Sequence, residues 1–297
     1  MGETTLHIEP IDASFGAYIH DIQLAHVTDA IWPALREAWV EYGLLVFHDQ
    51  TLSKAEQDDF ARRFGPLEFG AAAISNLDKD DRIHADPADD LVKSLRGNEG
   101  WHHDSTYMPV QAMGAVFSAE IVPPSGSSTG FADMRAAYDA LDEATKGQLV
   151  DLQAHHSLEY SQGRAGYLPS PNNEGGYSFY GYHGGTVPLR PMVKIHPDTG
   201  LPNLCVGRHA HNVVGMDPAE SEQFVDSINE RAVQPQWMHY HHWSPGDVVV
   251  WDNRRLMHCA VPFDLTEPRR MWHTRIAGNP VTELALNYDS PEITTAS

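Results

Sequence analysis

Two histidines and one aspartate are the residues from which a chemistry can be read first. His102 and Asp104 stand two apart in Trp101-His102-His103-Asp104-Ser105-Thr106, and His258 closes the distant stretch Trp251-Asp252-Asn253-Arg254-Arg255-Leu256-Met257-His258. Two imidazoles and a carboxylate are the donor set that holds Fe(II) on one face and leaves the opposite face open. In an extended strand, residues i and i+2 point to the same side, so His102 and Asp104 are expected to reach one ion from a single short segment, with His103 turned away. With 18 histidines in the chain a His-x-Asp pair arises readily by chance; the second segment is what gives it weight. The approach to His258, Asp247-Val248-Val249-Val250-Trp251, is β-branched and apolar and reads as a buried strand. A ligand near a strand end is held in place before the metal arrives.

The elements that must position these groups follow from local pattern. Leu6 to Pro10 alternates as a first strand, and Ala30 to Tyr42 places Ile31, Leu35 and Trp39 on one helical face. Gly43 stops that helix before a buried strand, Leu44 to Phe47. Ser53-Lys54-Ala55-Glu56 has capping-box spacing and opens a helix toward Phe64, ended by Gly65-Pro66. Ala115 to Val122 and Thr129 to Ala132 read as strands, and Met134 to Leu152 as mostly helical. Pro197-Asp198-Thr199-Gly200 lies between two strand patterns as a hairpin turn, and Asp217-Pro218 caps a further helix. Met271 to Ala277 is the last strand. Two stretches lack a core pattern: an acidic one near 78–95 and one rich in Gly, Tyr, Asn and Pro at 163–185. Both are expected to be mobile insertions and lid candidates, and the tail after 287 to be disordered. Many short strands with helices around them suggest a mainly β fold with flanking helices, a double-stranded β-helix or jelly roll.

Composition sets limits on partners. The net charge is −21, so a nucleic acid backbone would be repelled, and an anion site must rest on a few local arginines. No apolar run is long enough to span a bilayer and no signal pattern opens the chain, so no membrane partner and a cytoplasmic location are expected. Cys205 and Cys259 are too few for a disulfide framework and read as buried thiols. The rival histidine cluster, His239-Tyr240-His241-His242, has no carboxylate nearby in sequence and reads as packed strand or surface. Gly-x-Ser-x-Gly, Cys-x-x-Cys and phosphate-loop motifs are absent. Arg275 lies in an apolar setting where an unpaired charge would be costly, so it is expected to meet a carboxylate, either of a substrate or of a cosubstrate.

The chain resembles the taurine/2,4-D dioxygenase family of Fe(II)- and 2-oxoglutarate-dependent oxygenases. The likeness rests on Asn98-x-x-x-Trp101-His102-x-Asp104, on Thr129 followed by Gly130-Phe131-Ala132-Asp133-Met134, on Trp251-Asp252-Asn253-Arg254 ahead of His258, and on Arg269-Arg270. Within the family it is most similar to the dichlorprop (phenoxypropionate) dioxygenases, through Trp101 to Val110, Phe131 to Tyr138, Val206-Gly207-Arg208-His209-Ala210-His211 and Met271-Trp272-His273. The resemblance runs from about Phe60 to about Gly278 and implies one catalytic domain over 1–297, in the jelly-roll fold.

It also implies roles. Fe(II) would be held by His102, Asp104 and His258, and 2-oxoglutarate and O2 would take the open positions. Thr129 with Arg269, or its neighbour Arg270, would grip the far carboxylate of 2-oxoglutarate; strand parity favours Arg269. Asn98, Arg208, His209 and Arg275 are the substrate-binding candidates, for a small carboxylic acid. After Arg270 the next arginine is displaced by one residue from the taurine-type pattern, with His273-Thr274-Arg275 in its place. The expected reaction is hydroxylation of an aryloxyalkanoate beside its ether oxygen, followed by collapse to a phenol and a keto acid, in a homo-oligomeric enzyme. Two other readings stay open at this stage: a taurine or alkyl sulfonate dioxygenase, and a non-catalytic metal-binding protein of cupin type.

Overall fold

The computed structural model describes residues 6–173, 176–177 and 179–289. Two sheets face each other across the site. The larger has seven strands in the order His7–Pro10, Ala17–His20, Leu44–Phe47, Val248–Asp252, Gly114–Ile121, Arg270–Ile276, Leu67–Ser75. All its pairings are antiparallel except that of Ala17–His20 with Leu44–Phe47. The smaller has Thr129–Asp133 at its centre, flanked by Met238–His241 and Leu256–Ala260. A further three-stranded sheet, Ala210–His211, Gln153–His156 and Leu189–Pro191, and the Val193–Ile195/Pro202–Leu204 hairpin complete the β structure among the described residues. This is the double-stranded β-helix expected from the sequence.

Each layer follows from its side chains. The valines and Trp251 of Val248–Asp252 are all buried, because this strand is covered on both faces. On the outer face Val248 and Val250 meet Leu35 and Trp39 of the Trp32–Tyr42 helix and Phe60 of the Lys54–Arg62 helix. On the inner face Val249 and Trp251 meet Phe117, Phe131 and Leu256 between the two sheets. A third cluster packs the Met134–Asp139 and Pro218–Ala232 helices on the smaller sheets. Burying a side chain such as Leu35 or Phe131 fully contributes about 1.5–3 kcal/mol, so Trp39→Ala would weaken the packing of the Trp32–Tyr42 helix on the large sheet. At Gly114 a Cβ would come within 2.4 Å of the Trp251 carbonyl oxygen, so only glycine allows the central strands to close here.

Some expectations change, and one strand had not been foreseen. The 78–95 stretch is an excursion only as far as Asp89; Asp90–Gly97 is a helix, capped by the Asp89 side chain and placed directly over the site. Leu67–Ser75 is a nine-residue edge strand although its sequence, Leu-Glu-Phe-Gly-Ala-Ala-Ala-Ile-Ser, has little β-branched content; it is held by backbone pairing with Arg270–Ile276. The helix expected over Met134 to Leu152 divides into Met134–Asp139 and Glu143–Leu149, the second capped by Asp142. Of the 163–185 stretch, the first three residues close the Leu158–Ala165 helix, against expectation; the described residues of 166–188 form no helix or strand. Of the tail, Asn287 and Tyr288 are hydrogen-bonded to Leu189 and Ala285, and 290–297 lie outside the described residues. Cys205 and Cys259 are free and buried. Among the described residues no helix is long and apolar enough to cross a membrane.

Candidate metal centre

His102 and His258 pair directly, backbone to backbone. They form an isolated antiparallel bridge, each backbone N–H donating to the other's carbonyl at 2.9 Å, and their rings lie 4.3 Å apart. The backbone of Gly207 packs behind His102: a Cβ there would lie 3.2 Å from the His102 Cα, and its φ of +108° suits glycine alone. Past His102 the chain is not a strand. It enters a turn in which Ser105 takes a φ of 53°, so Asp104 is aimed by the turn and not by strand parity. Asn253 makes the turn possible: its Oδ1 accepts from Asp104 N at 2.7 Å, and its Nδ2 donates to the carbonyls of Asp104 and Ala112, both at 2.9 Å. His103 does turn away, as expected, and donates through Nδ1 to the Asn253 carbonyl.

The three side chains converge. Asp104 Oδ1 is 3.9 Å from His102 Nε2, and Oδ2 is 3.8 Å from His258 Nε2. All three ligand atoms lie within 4.8 Å of one another. These gaps are too long for hydrogen bonds, while two ligands about 2.1 Å from one ion can be up to about 4.2 Å apart. Asp104 Oδ2 is buried with no hydrogen-bond partner, which is costly unless something cationic meets it. His102 Nδ1 donates to the Gly100 carbonyl at 2.7 Å, which leaves the Nε2 lone pair free toward the centre. Burial pulls His258 down to about 4 and His102 well below its usual range, so both are neutral, the form that ligates a metal. For Asp104, burial alone would raise its pKa, but Arg275 and then His258 and His273 hold it well below the usual carboxylate range. The donor set therefore fits a divalent iron with open positions.

A cavity opens on this triad, between the two sheets. Thr129, Arg269, Trp251, His273 and Arg275 line it, and Leu95 and Asn98 from the capped helix close one side. Arg269 is 4% exposed and has no carboxylate partner among the described residues; its one side-chain hydrogen bond is a long one, 3.4 Å, to the Ile74 carbonyl, and Nε has none. Burial pulls its guanidinium down to about 10. Thr129 accepts from Trp243 Nε1 at 2.9 Å, which leaves its own hydroxyl proton free.

The other candidates divide. Arg270 is not brought to the cavity: as the neighbour of Arg269 it points outward, pairing with Asp81 and, at 3.6 Å, Glu120. Arg275 was expected to meet a substrate or cosubstrate carboxylate and instead meets one of the protein's own: Nη2 donates to Asp104 Oδ1 at 2.7 Å and Nη1 to Ser105 Oγ at 3.0 Å. Arg208 is half-buried and donates to Gln162 Oε1 at 2.8 Å, with no carboxylate in reach among the described residues; burial pulls it down to about 10. His209 stands edge-on to His102, ring centres 5.6 Å apart, and shares a hydrogen bond with Ser161. His273 was not singled out as a site residue from the sequence. Its Nε2 is 3.5 Å from Asp104 Oδ2 and its ring stacks on Trp251. Its parity with Arg269 and Arg275 was the signal that could have found it. The rival His239–His242 cluster acquires the carboxylate it lacked in sequence: His241 Nε2 lies 3.2 Å from Asp247 Oδ2, and His48 bonds the other oxygen.

A jelly roll with two histidines and a carboxylate at the mouth between its sheets is the frame of a 2-oxoglutarate-dependent oxygenase. The family model described as "Taurine catabolism dioxygenase TauD, TfdA family" matches residues 7–276, and the chain belongs to that family. It is 57% identical over 283 residues to an "(S)-phenoxypropionate/alpha-ketoglutarate-dioxygenase" of Sphingobium herbicidovorans, covering 95% of this chain and 98% of that one. It is 50% identical to a protein of the same description from Delftia acidovorans, with the same coverage. The crystal structure of AAD-2 in complex with Mn(II) and N-oxalylglycine superposes with a TM-score of 0.87 at 34% identity, over 96% of this chain and 100% of that one. The chain is an alpha-ketoglutarate-dependent dioxygenase, and its chemistry needs Fe(II), 2-oxoglutarate and O2.

Proposed function

We propose that this dioxygenase hydroxylates 2-aryloxypropionates and related aryloxyalkanoates, with His102, Asp104 and His258 as its iron ligands. The observation that carries the reading is the pairing of that triad with Arg269, a buried guanidinium lacking an anion in the same cavity. When bound, the ferrous ion couples decarboxylation of 2-oxoglutarate by O2, giving succinate and CO2, to insertion of the second oxygen atom into a substrate C–H bond. The chain's own residues position and enclose. Arg269 and the Thr129 hydroxyl take the far carboxylate of 2-oxoglutarate, a planar guanidinium matching it with two parallel bonds. Asp104 gives one oxygen to Arg275 and keeps the other for the metal. Arg208, also without an anionic partner, takes the substrate carboxylate; it is bonded to Gln162, which lines a neighbouring aromatic chamber, while His209 stands against His102 and Asn98 lines the metal cavity. The aromatic chamber adjoins the metal cavity and shares Ile74, Asn98, His273 and Arg275 with it; Phe69, Tyr107, Tyr180 and Tyr182 line it and suit an aryl ring. Hydroxylation at the carbon bearing the ether oxygen gives a hemiketal, which collapses to a phenol and a 2-keto acid.

The names of the two phenoxypropionate relatives support the (S) substrate. The whole chain is read as one domain, since the matched structure covers nearly all of it. A homo-oligomeric state and a cytoplasmic location belong to this proposal as well; sedimentation velocity tests the first. For the reaction, the test is turnover of each 2-phenoxypropionate enantiomer with Fe(II), ascorbate and 2-oxoglutarate. Phenol and succinate in equal amounts from the (S) form is the expected result. Succinate without phenol, or sulfite release from taurine at a higher rate, would overturn the substrate assignment.

A further inference from the structure

Four side chains outside the metal triad form a continuous chain of contacts leading away from Asp104, from buried Arg275 and Ser105 out to half-buried Glu68 and exposed Tyr180. Arg275 donates to Asp104 Oδ1 at 2.7 Å and to Ser105 Oγ at 3.0 Å. Ser105 Oγ donates to Glu68 Oε2 at 2.9 Å and lies 3.0 Å from the Tyr180 hydroxyl. Tyr180 donates in turn to Glu68 Oε1. Rings finish the enclosure: the Arg275 guanidinium lies 4.8 Å from the Phe69 ring centre and 5.4 Å from that of Tyr180, and those two rings meet edge to face at 5.2 Å. Glu68 and Phe69 reach this spot because the edge strand is irregular. Its register with Arg270–Ile276 shifts between His273 and Arg275, where the Ala71 N–H is taken by Asp58 instead.

Tyr180 is the only member of this chain of contacts that comes from the irregular 166–188 stretch. That stretch has no backbone ladder among its described residues. Its ends are tied, Tyr167 to Gln162, Ser170 to Asp90, and the Thr186, Val187 and Pro188 carbonyls to Tyr288, Asn287 and His156; between those ends it is held to the rest of the fold by Tyr180 at this point and by His183 on the Tyr107 carbonyl at 2.8 Å. Segments held by so few bonds open at low free-energy cost. We propose that Tyr180 and Glu68 latch this segment onto Arg275, so that its closure over the aromatic chamber and the fixing of the Asp104 carboxylate toward the metal are one coupled event. Arg275 and Ser105 are then positioning residues: they hold one Asp104 oxygen, and leave the other facing the ion. The inference rests on the proposed triad. It goes further in giving a buried ion pair at the metal centre, which also backs the substrate chamber, a mechanical link to a closing segment.

Tyr180→Phe removes the latch hydroxyl and keeps the ring; Glu68→Ala removes its acceptor. Both are read on the purified protein in two ways that need no turnover: Mn(II) affinity from the paramagnetic resonance signal of free Mn(II), and the rate of chymotryptic cutting within 166–188 followed by mass spectrometry. Loss of a group that orients a metal ligand lowers affinity about 10- to 100-fold, so one step further out a loss of about 3- to 10-fold is expected. Cutting should become faster in both variants. Reciprocity adds a sharper mark: saturating Mn(II) should slow cutting of the wild-type segment, and much less so in either variant. Faster cutting with unchanged Mn(II) affinity, or Mn(II) protection equal in wild type and variants, would overturn the coupling. His258→Ala in the same titration separates the two ideas, because undiminished Mn(II) binding there would overturn the triad itself.

Discussion

Arg269 gives a prediction with two opposite signs. Its guanidinium is buried without an anion, and the displacement of its pKa from 12.5 to about 10 is due to burial alone. At 1.36 kcal/mol for each pH unit this corresponds to about 3 kcal/mol held against the ligand-free fold, as an upper bound. Arg269→Met keeps an unbranched chain against Phe263 and removes the charge. The ligand-free variant should therefore be more stable, by up to about 3 kcal/mol, which in a chain of this size raises Tm by a few degrees. Binding of 2-oxoglutarate should fall, because truncating one partner of a buried charge pair costs about 2–5 kcal/mol, or roughly 30- to 5000-fold in affinity. Scanning calorimetry of the ligand-free protein measures the first. Titration calorimetry with 2-oxoglutarate and Mn(II) under nitrogen measures the second. A lower Tm combined with 2-oxoglutarate affinity within twofold of wild type would refute the reasoning, since it would make Arg269 a structural cation.

Other expectations can be checked alongside. Asn253→Ala leaves the Asp104 N–H and the Asp104 and Ala112 carbonyls without their partner in a buried turn; it should destabilise by about 2–4 kcal/mol in denaturant titration and weaken metal binding in parallel. Asp133→Ala leaves Arg255 buried and unpaired where it now makes a 2.7 Å contact, and should lose about 3–5 kcal/mol. His84 is raised above 6.5 by its hydrogen bonds to Asp89 and Asp78. Its folded-state pKa exceeds the unfolded one, so its contribution is complete below about pH 6 and is lost as pH rises through the folded value. Hydrogen exchange in 78–90 should accelerate between about pH 6 and pH 8 more than the intrinsic rate does, and His84→Asn should abolish that excess.

Much of the site was legible because metal chemistry restricts residue types. A His-x-Asp and a distant histidine after a β-branched run named the three converging side chains, although the reason offered for two of them was only partly right. Strand parity turned His103 away, but Asp104 is aimed by a turn that depends on Asn253, whose carboxamide comes from 149 residues downstream. No local pattern reports such a contact. Leu67–Ser75 escaped detection because its pairing is set by the backbone of its neighbour and its alanines carry no period. Asp90–Gly97 was obscured by the acidic run before it, although Asp89 ahead of Leu91, Val92 and Leu95 is a cap followed by an apolar face. Arg275 was expected to meet the carboxylate of a substrate or cosubstrate; the one it meets is that of Asp104, a long-range pairing that no local pattern reports. Elsewhere a second convergence of possible ligands, His196, Asp198 and Asp252, is visible only in the fold, and there the Arg254 guanidinium already bonds both aspartates.

His102, Asp104 and His258 are proposed to hold one ferrous ion to which 2-oxoglutarate then binds. Anaerobic addition of Fe(II) and 2-oxoglutarate should give a visible metal-to-ligand charge-transfer band saturating at one iron per chain. The band should be absent from His102→Ala, Asp104→Ala and His258→Ala while their folds, judged by circular dichroism, are unchanged. A band of full intensity in the folded His258→Ala protein would contradict the account.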